Sequence, residues 1–331
     1  MASAPPTVDD VTAARDRLDG LVVRTPARAY PALDRLVHAR GAVGAAVVVK
    51  HENLQHTGAF KVRGALHLVQ RGRGVSRGIV AYSTGNHAQA LAYAAARADL
   101  PCTIVMPRHP NPVKERAVRD HGAEVVLHGT DLAEAATHAH EIARRRGARL
   151  VSAGDEPELV AGVATATLEL LEQEPHLDTL VVPVGGGSGA AAACLVTAAL
   201  APNVEVVGVQ SAAAPAAHDS WRAGALRTRP SRTRAEGLAV GRGFALTQQV
   251  LRDRLRDFLL VDDDAITRAQ HAYLTAARTV AEGAGAAALA AVMSHPERFA
   301  GRRVAVVCSG GNAREEELRR ALTCDAAGSA A

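Results

Sequence analysis

Short apolar runs alternate along the chain with longer stretches rich in alanine. The short runs, dominated by Val, Ile and Leu, have the length of strands. They predict strands over 45–49, 78–82, 102–106, 124–127, 149–152, 180–184, 205–210 and 303–308. The alanine-rich stretches predict helices over 85–96, 112–121, 131–146, 162–172, 190–200, 264–282 and 286–293, because alanine is the strongest helix former.

Strand–helix alternation implies mainly parallel sheets with helices on both faces. A run such as Leu180-Val181-Val182-Pro183-Val184, apolar throughout, suits a strand covered on both sides. The expected class is α/β, doubly wound. Residues 211–243 interrupt the pattern with an arginine-rich, aperiodic stretch, and loops of that length are functional or mobile. The Ala/Gly tail after Cys324 is expected to fray.

Composition narrows the class further. A chain of 331 residues makes one large domain or two intimate ones. Its 48% hydrophobic and 22% charged residues are those of a soluble globular protein. With 3% aromatics, alanine, valine and leucine must build the core. The net charge of +4 comes from scattered arginines. The runs Arg144-Arg145-Arg146 and 227–234 read as solvated helix end and loop, and no nucleic-acid partner is expected without an aromatic platform or a reader motif. Cys102, Cys194, Cys308 and Cys324 form no C-x-x-C pair and no zinc spacing. No apolar run has the length of a membrane span, and residues 1–10 lack a leader pattern. A reducing, cytoplasmic setting is expected.

Four segments carry candidate chemistry. Strand 180–184 runs into Gly185, Gly186, Gly187, Ser188 and Gly189 at the start of a helix, where close backbone approach and free amides suit an anion. The alternative is a plain tight turn. After strand 78–82 come Ser83, Thr84, Gly85, Asn86, His87 and Gln89, whose hydroxyls and helix-start amides suit a carboxylate. Ordinary N-capping accounts for one of those hydroxyls. After strand 303–308, Ser309-Gly310-Gly311-Asn312 places a serine where it can meet a ring nitrogen, or simply turns the chain. Finally, Thr57 reads as an N-cap that sets Lys61 in the first turns of a helix, flanked by Phe60 and Val62. A desolvated lysine becomes nucleophilic toward an aldehyde; a snorkelling surface lysine is the alternative.

Together, in this order, the segments resemble the fold-type II pyridoxal-phosphate enzymes, and within them the threonine/serine dehydratases and serine racemases. The resemblance covers residues 20 to 315, with Thr57-Gly58-Ala59-Phe60-Lys61-Val62-Arg63-Gly64-Ala65 matching the family's Schiff-base segment. It implies two α/β domains of tryptophan synthase β-like architecture. The larger, cofactor-binding domain would comprise 1–66 and 153–331, and a small mobile domain 67–152. It also implies bound pyridoxal phosphate, a small amino-acid substrate and a homodimer. By resemblance Lys61 carries the cofactor, with Phe60 and Asn86 beside the ring. Gly185, Gly186, Gly187, Ser188 and Gly189 hold the phosphate, and Ser309 meets the pyridine nitrogen. Ser83, Thr84, Gly85, Asn86 and His87 grip the substrate carboxylate. Gly237, in Glu236-Gly237-Leu238, and Glu282 match cofactor-side positions. The implied reaction is loss of water and ammonia from a β-hydroxy-α-amino acid to leave a 2-keto acid, with the cofactor supplying the hard chemistry. Lys61, Ser83 and Thr84 would serve catalysis.

Departures from the family pattern refine this. Thr84 stands where the racemases have a second serine, which weakens a racemase reading. Val62-Arg63 follows the lysine, where β-replacement enzymes have Asp-Arg. Gln210 and the acid-free stretch 212–217 stand where the family binds a divalent cation, so no such metal is expected.

Overall fold

The computed structural model describes residues 4–324; the tail after Cys324 lies outside them. Ten strands are found among the described residues. They are β1 (Ala27–Ala29), β2 (Ala46–Lys50), β3 (Ile79–Tyr82), β4 (Cys102–Met106), β5 (Glu124–Leu127), β6 (Arg149–Leu150), β7 (Thr179–Pro183), β8 (Glu205–Ser211), β9 (Asp257–Val261) and β10 (Arg303–Val307). They form a six-stranded sheet in the order β1-β2-β10-β7-β8-β9 and a four-stranded sheet in the order β5-β4-β3-β6. Every pairing is parallel except that of the short edge strand β1 with β2.

The strand period of two sorts the larger sheet's side chains between two cores. Val47, Val49, Val181, Val207, Val304 and Val306 enter one, while Leu180, Val182, Val206 and Ala305 enter the other. That is why these strands read as unbroken apolar runs. The helix Gly283–Ser294, buried from Gly283 to Met293, lies in the first core. Apolar all round, it belongs inside. The smaller sheet has its own core around Ile79, Leu91 and Ile104. Helix Lys61–Arg71 packs Val62, Leu66 and Leu68 into that core, and it runs across the boundary drawn after residue 66.

Some expectations need correction. The helix predicted over 264–282 is Asp263–Ala276. Arg278 takes φ +50°, and Glu282 becomes the N-cap of the next helix. Thr279-Val280 puts β-branched residues where helix continuation is weak. The stretch 211–243 holds the helix Ala216–Ala223 and the short turn Glu236–Leu238. β1 escapes the apolar-run signal because it is a short, half-exposed edge strand, while β9 carries the apolar run Phe258-Leu259-Leu260-Val261 and is not among the predicted strands. Cys102, Cys194 and Cys308 are buried and free. No helix among the described residues is long and apolar enough to cross a membrane.

Candidate active site

The four segments meet at one cavity of about 1220 Å³ beside the carboxyl ends of parallel strands, where open α/β sheets bind ligands. The residues given site roles by the resemblance line it: Phe60 and Lys61, Ser83 to His87, Gly185 to Gly189, Gly237, Glu282 and Ser309, whereas Thr57, Val62 and Gln89 do not.

Beyond β2 the chain makes two short turns, Glu52–Leu54 and His56–Gly58, before helix Lys61–Arg71. Thr57 is not the cap expected. It sits inside the second turn at φ +61°, and Phe60 holds the N-cap position without a side-chain cap. Tertiary bonds decide this. Asn312 Nδ2 donates to the Thr57 carbonyl at 2.8 Å. The Gly311 and Phe60 amides donate to the Gly58 and Ser309 carbonyls. The segment is thus fastened to the chain leaving β10.

Lys61 Nζ donates to Ser188 Oγ at 2.7 Å and to the Ala153 carbonyl at 3.4 Å. Burial brings its ammonium down from 10.5 to about 8, because a poorly solvated site disfavours the charged form. Two residues on, Arg63 is wholly buried. It donates to both oxygens of Glu52 (2.8 and 2.9 Å) and of Glu169 (2.7 and 2.8 Å). Lys50 adds a bond to Glu169 at 2.9 Å. This ion network pins the Lys61 helix to the helix Pro157–Gln173.

β7 feeds the glycine loop. Gly187, the N-cap of helix Ser188–Leu200, takes φ +90°, which glycine adopts without steric cost. Gly185 lies so close to the Gly237 carbonyl that a Cβ would collide with it. The first-turn amides of the helix have no intrahelical acceptor and suit an anion. Buried Ser188 spends its hydroxyl on Lys61.

On the smaller domain, Gly85 caps helix Asn86–Ala96 without a side-chain bond. The Thr84 hydroxyl is therefore not a helix cap, and Ser83 Oγ accepts from the nearby Gly85 amide at 3.2 Å. His87 is buried, with Nε2 3.5 Å from the Val151 carbonyl. Burial takes its imidazole down to about 3, so it stays neutral and offers the site no charge. Asn86 bridges the domains: its Nδ2 donates to Glu282 Oε1 at 2.5 Å, and its Oδ1 accepts from Asn312 at 2.9 Å. Burial raises the Glu282 carboxyl above its ordinary value. Ser309 is buried at the end of β10.

Sequence reasoning missed Tyr82, Ala153 and Phe244, which also line the cavity. Tyr82 had a usable signal, as the last residue of β3 just before Ser83. Phe244 had none: it reaches the cavity because the Leu246 amide donates to Asp155 Oδ1 at 3.0 Å. Arg144 and Arg229, read as plain solvated charge, stand on the cavity wall. Gln210 Oε1 accepts from the His218 amide at 3.0 Å. Among the described residues no group of three His, Cys, Asp or Glu is placed to hold a metal.

The donor set fits pyridoxal phosphate. One cavity offers a weakly basic primary amine, a glycine-bordered helix start for a phosphate and a buried serine hydroxyl. Comparison with known proteins agrees. The model of the family described as pyridoxal-phosphate dependent enzyme matches residues 18–310. The chain is 38% identical to an L-threonine ammonia-lyase of Geobacter sulfurreducens, over 82% of this chain and 68% of that one. It is 34% identical to an L-threo-3-hydroxyaspartate ammonia-lyase of a Pseudomonas species, over 92% and 94%. The structure of maize serine racemase superposes with a TM-score of 0.88 at 30% identity, over 97% of both chains. From the fold, the cavity and these matches, the chain belongs to the pyridoxal-phosphate dependent enzyme family.

Proposed function

We infer that the chain is a carbon–oxygen lyase that converts a threonine- or serine-like β-hydroxy-α-amino acid into a 2-keto acid and ammonia. The observation that carries this is the placement of Lys61. Its weakly basic amine shares one cavity with the glycine loop and with the Ser83–His87 segment. The ammonia-lyase relatives support the reaction class.

Lys61 would carry the cofactor, Gly185 to Gly189 its phosphate and Ser309 its ring nitrogen, with Phe60, Asn86, Gly237 and Glu282 around it. When bound, pyridoxal phosphate supplies the electron sink that makes the substrate's Cα proton acidic. The helix-start amides at Asn86 and His87, with the Ser83 and Thr84 hydroxyls, orient the substrate carboxylate. Lys61 Nζ takes the Cα proton, and a depressed basicity leaves much of the amine neutral near pH 8. Ser188 Oγ holds Nζ in place through the 2.7 Å bond. The β-hydroxyl leaves as water, its added proton balancing the one taken from Cα, and the released enamine hydrolyses to keto acid and ammonia. Residues 67–152 act as the small body that closes over substrate and excludes water. The enzyme works as a cytoplasmic homodimer.

The test is to supply holoenzyme with L-threonine, L-serine, phenylserine and 3-hydroxyaspartate and to measure keto acid and ammonia. Equal amounts of both, abolished by Lys61→Ala, are expected. Racemised or β-substituted product without keto acid would refute the reading.

A further inference from the structure

The cavity is larger than the roughly 300–1,000 Å³ of ordinary small-ligand sites, and its lining carries charge that the elimination does not use. Arg144 comes from the helix Leu132–Arg146 of the smaller domain. Arg242 comes from the chain that follows Glu236–Leu238 on the larger one. Among the described residues neither is ion-paired; the recorded contact of Arg242 is with the Phe244 ring, 5.9 Å from its centroid. Nearby charges are matched. Arg229 donates to Asp219 Oδ2 at 2.6 Å. Glu141 hydrogen-bonds His138 at 3.1 Å, an ion pair only when that histidine is protonated, and Glu236 is paired with Lys114 and Arg314. Glu282 accepts from Asn86.

The position of this charge is informative. Tyr82, the residue before Ser83, stacks on His140 with ring centroids 6.5 Å apart, and His140 lies one helical turn before Arg144. Burial raises the Tyr82 phenol, while the Arg242 charge acts on it in the opposite sense. The Arg242 guanidinium is therefore within electrostatic reach of the strand end that leads into the carboxylate-binding loop. The substrate's α-carboxylate is already provided for by the helix start at Asn86. Two exposed guanidiniums that line the same cavity can receive an anion beyond the α-carboxylate and the phosphate, and a planar carboxylate matches their fork of donors.

We propose that Arg242 and Arg144 form a distal anion subsite, and that the substrate is a β-hydroxy-α-amino acid with a second carboxylate at or beyond Cβ. This rests on the ammonia-lyase reading and narrows its substrate. The arginines belong to different domains, so like charges oppose closure of the empty cleft and a bound carboxylate relieves that opposition.

The experiment compares 3-hydroxyaspartate and 3-hydroxyglutamate with threonine, serine and phenylserine, using holoenzyme and Arg242→Gln, Arg242→Lys and Arg144→Gln variants. Calorimetry of succinate against butyrate, on the same proteins, gives a readout independent of turnover. One of the two dicarboxylic substrates is expected to have the highest kcat/KM. Its advantage over threonine should fall about 10- to 100-fold in Arg242→Gln, the loss of a charge-assisted bond, with partial recovery in Arg242→Lys. Preference for threonine, serine or phenylserine would overturn the proposal, as would an equal loss for every substrate in Arg242→Gln. If no substrate yields keto acid, the lyase reading fails and calorimetry decides the subsite alone. Succinate binding that exceeds butyrate binding and is lost in Arg242→Gln upholds it; equal binding of the two overturns it.

Discussion

Replacing Lys61 with methionine should destroy catalysis and yet stabilise the cofactor-free protein. In the folded chain burial lowers the lysine from 10.5 to about 8, whereas in the unfolded chain it keeps its ordinary value. Below pH 8 the folded state must hold a poorly solvated ammonium. The cost is about 3 kcal/mol, the free-energy equivalent of that depression. Methionine has similar length and no charge, so it removes the cost. It also removes the 2.7 Å bond to Ser188, which gives back about 1 kcal/mol. A net gain of about 2 kcal/mol is therefore expected at pH 7. The sign of the pH dependence follows. Between pH 8 and 10.5 the folded lysine is already neutral while the unfolded one still binds its proton. The parent accordingly gains stability as pH rises, and the advantage of methionine shrinks toward zero. Urea unfolding of both cofactor-free proteins at pH 7 and pH 10 measures this, since other titrating groups cancel in the difference. A Lys61→Met protein no more stable than its parent at pH 7, or one with the same advantage at both pH values, would refute the reasoning.

Three further outcomes follow from the site. Arg63→Met leaves the Glu52 and Glu169 carboxylates facing each other without their shared cation, and unfolding should show a loss of about 3–5 kcal/mol. A double variant that also carries Glu52→Leu should recover part of it. Gly185→Ala forces a Cβ against the Gly237 carbonyl. Cofactor affinity, followed by visible absorbance, should weaken about tenfold or more with an unaltered far-ultraviolet spectrum. Because burial holds His87 neutral down to about pH 3, KM should show no His87 titration between pH 5 and 8. A KM that rises with pH through that range in the parent, but not in His87→Gln, would contradict a neutral imidazole.

The layout of the fold was legible because its cause is local. Strands covered on both faces need apolar residues at every position, and Leu180 to Val182 and Val304 to Val306 announce themselves in that way. The glycines after β7 and the small polar residues after β3 were legible for the same reason. A loop that receives a ligand's anion needs backbone approach and unspent amides, and those needs are written in residue type. The edge strand β1 was less legible, being short and only half covered.

Tertiary structure decided the rest. Thr57 has the residue type of a cap, but bonds from Asn312 and Gly311 hold its turn in another conformation, and long-range bonds outweigh a local preference. Glu282 reaches the cavity because the helix ends at Ala276 and the chain turns near Arg278. Arg144 and Arg242 are about a hundred residues apart in the chain, and nothing local distinguishes them from the other arginines. Their place in the lining of one cavity comes from how the two sheets sit against each other. The sequence by itself determined the sheet class, the lysine at a helix start and the glycine loop after β7, because each depends on residues a few positions apart. The fold alone lowered the basicity of Lys61 and chose which charges line the cavity, since burial and electrostatic neighbourhood depend on segments far apart in the chain.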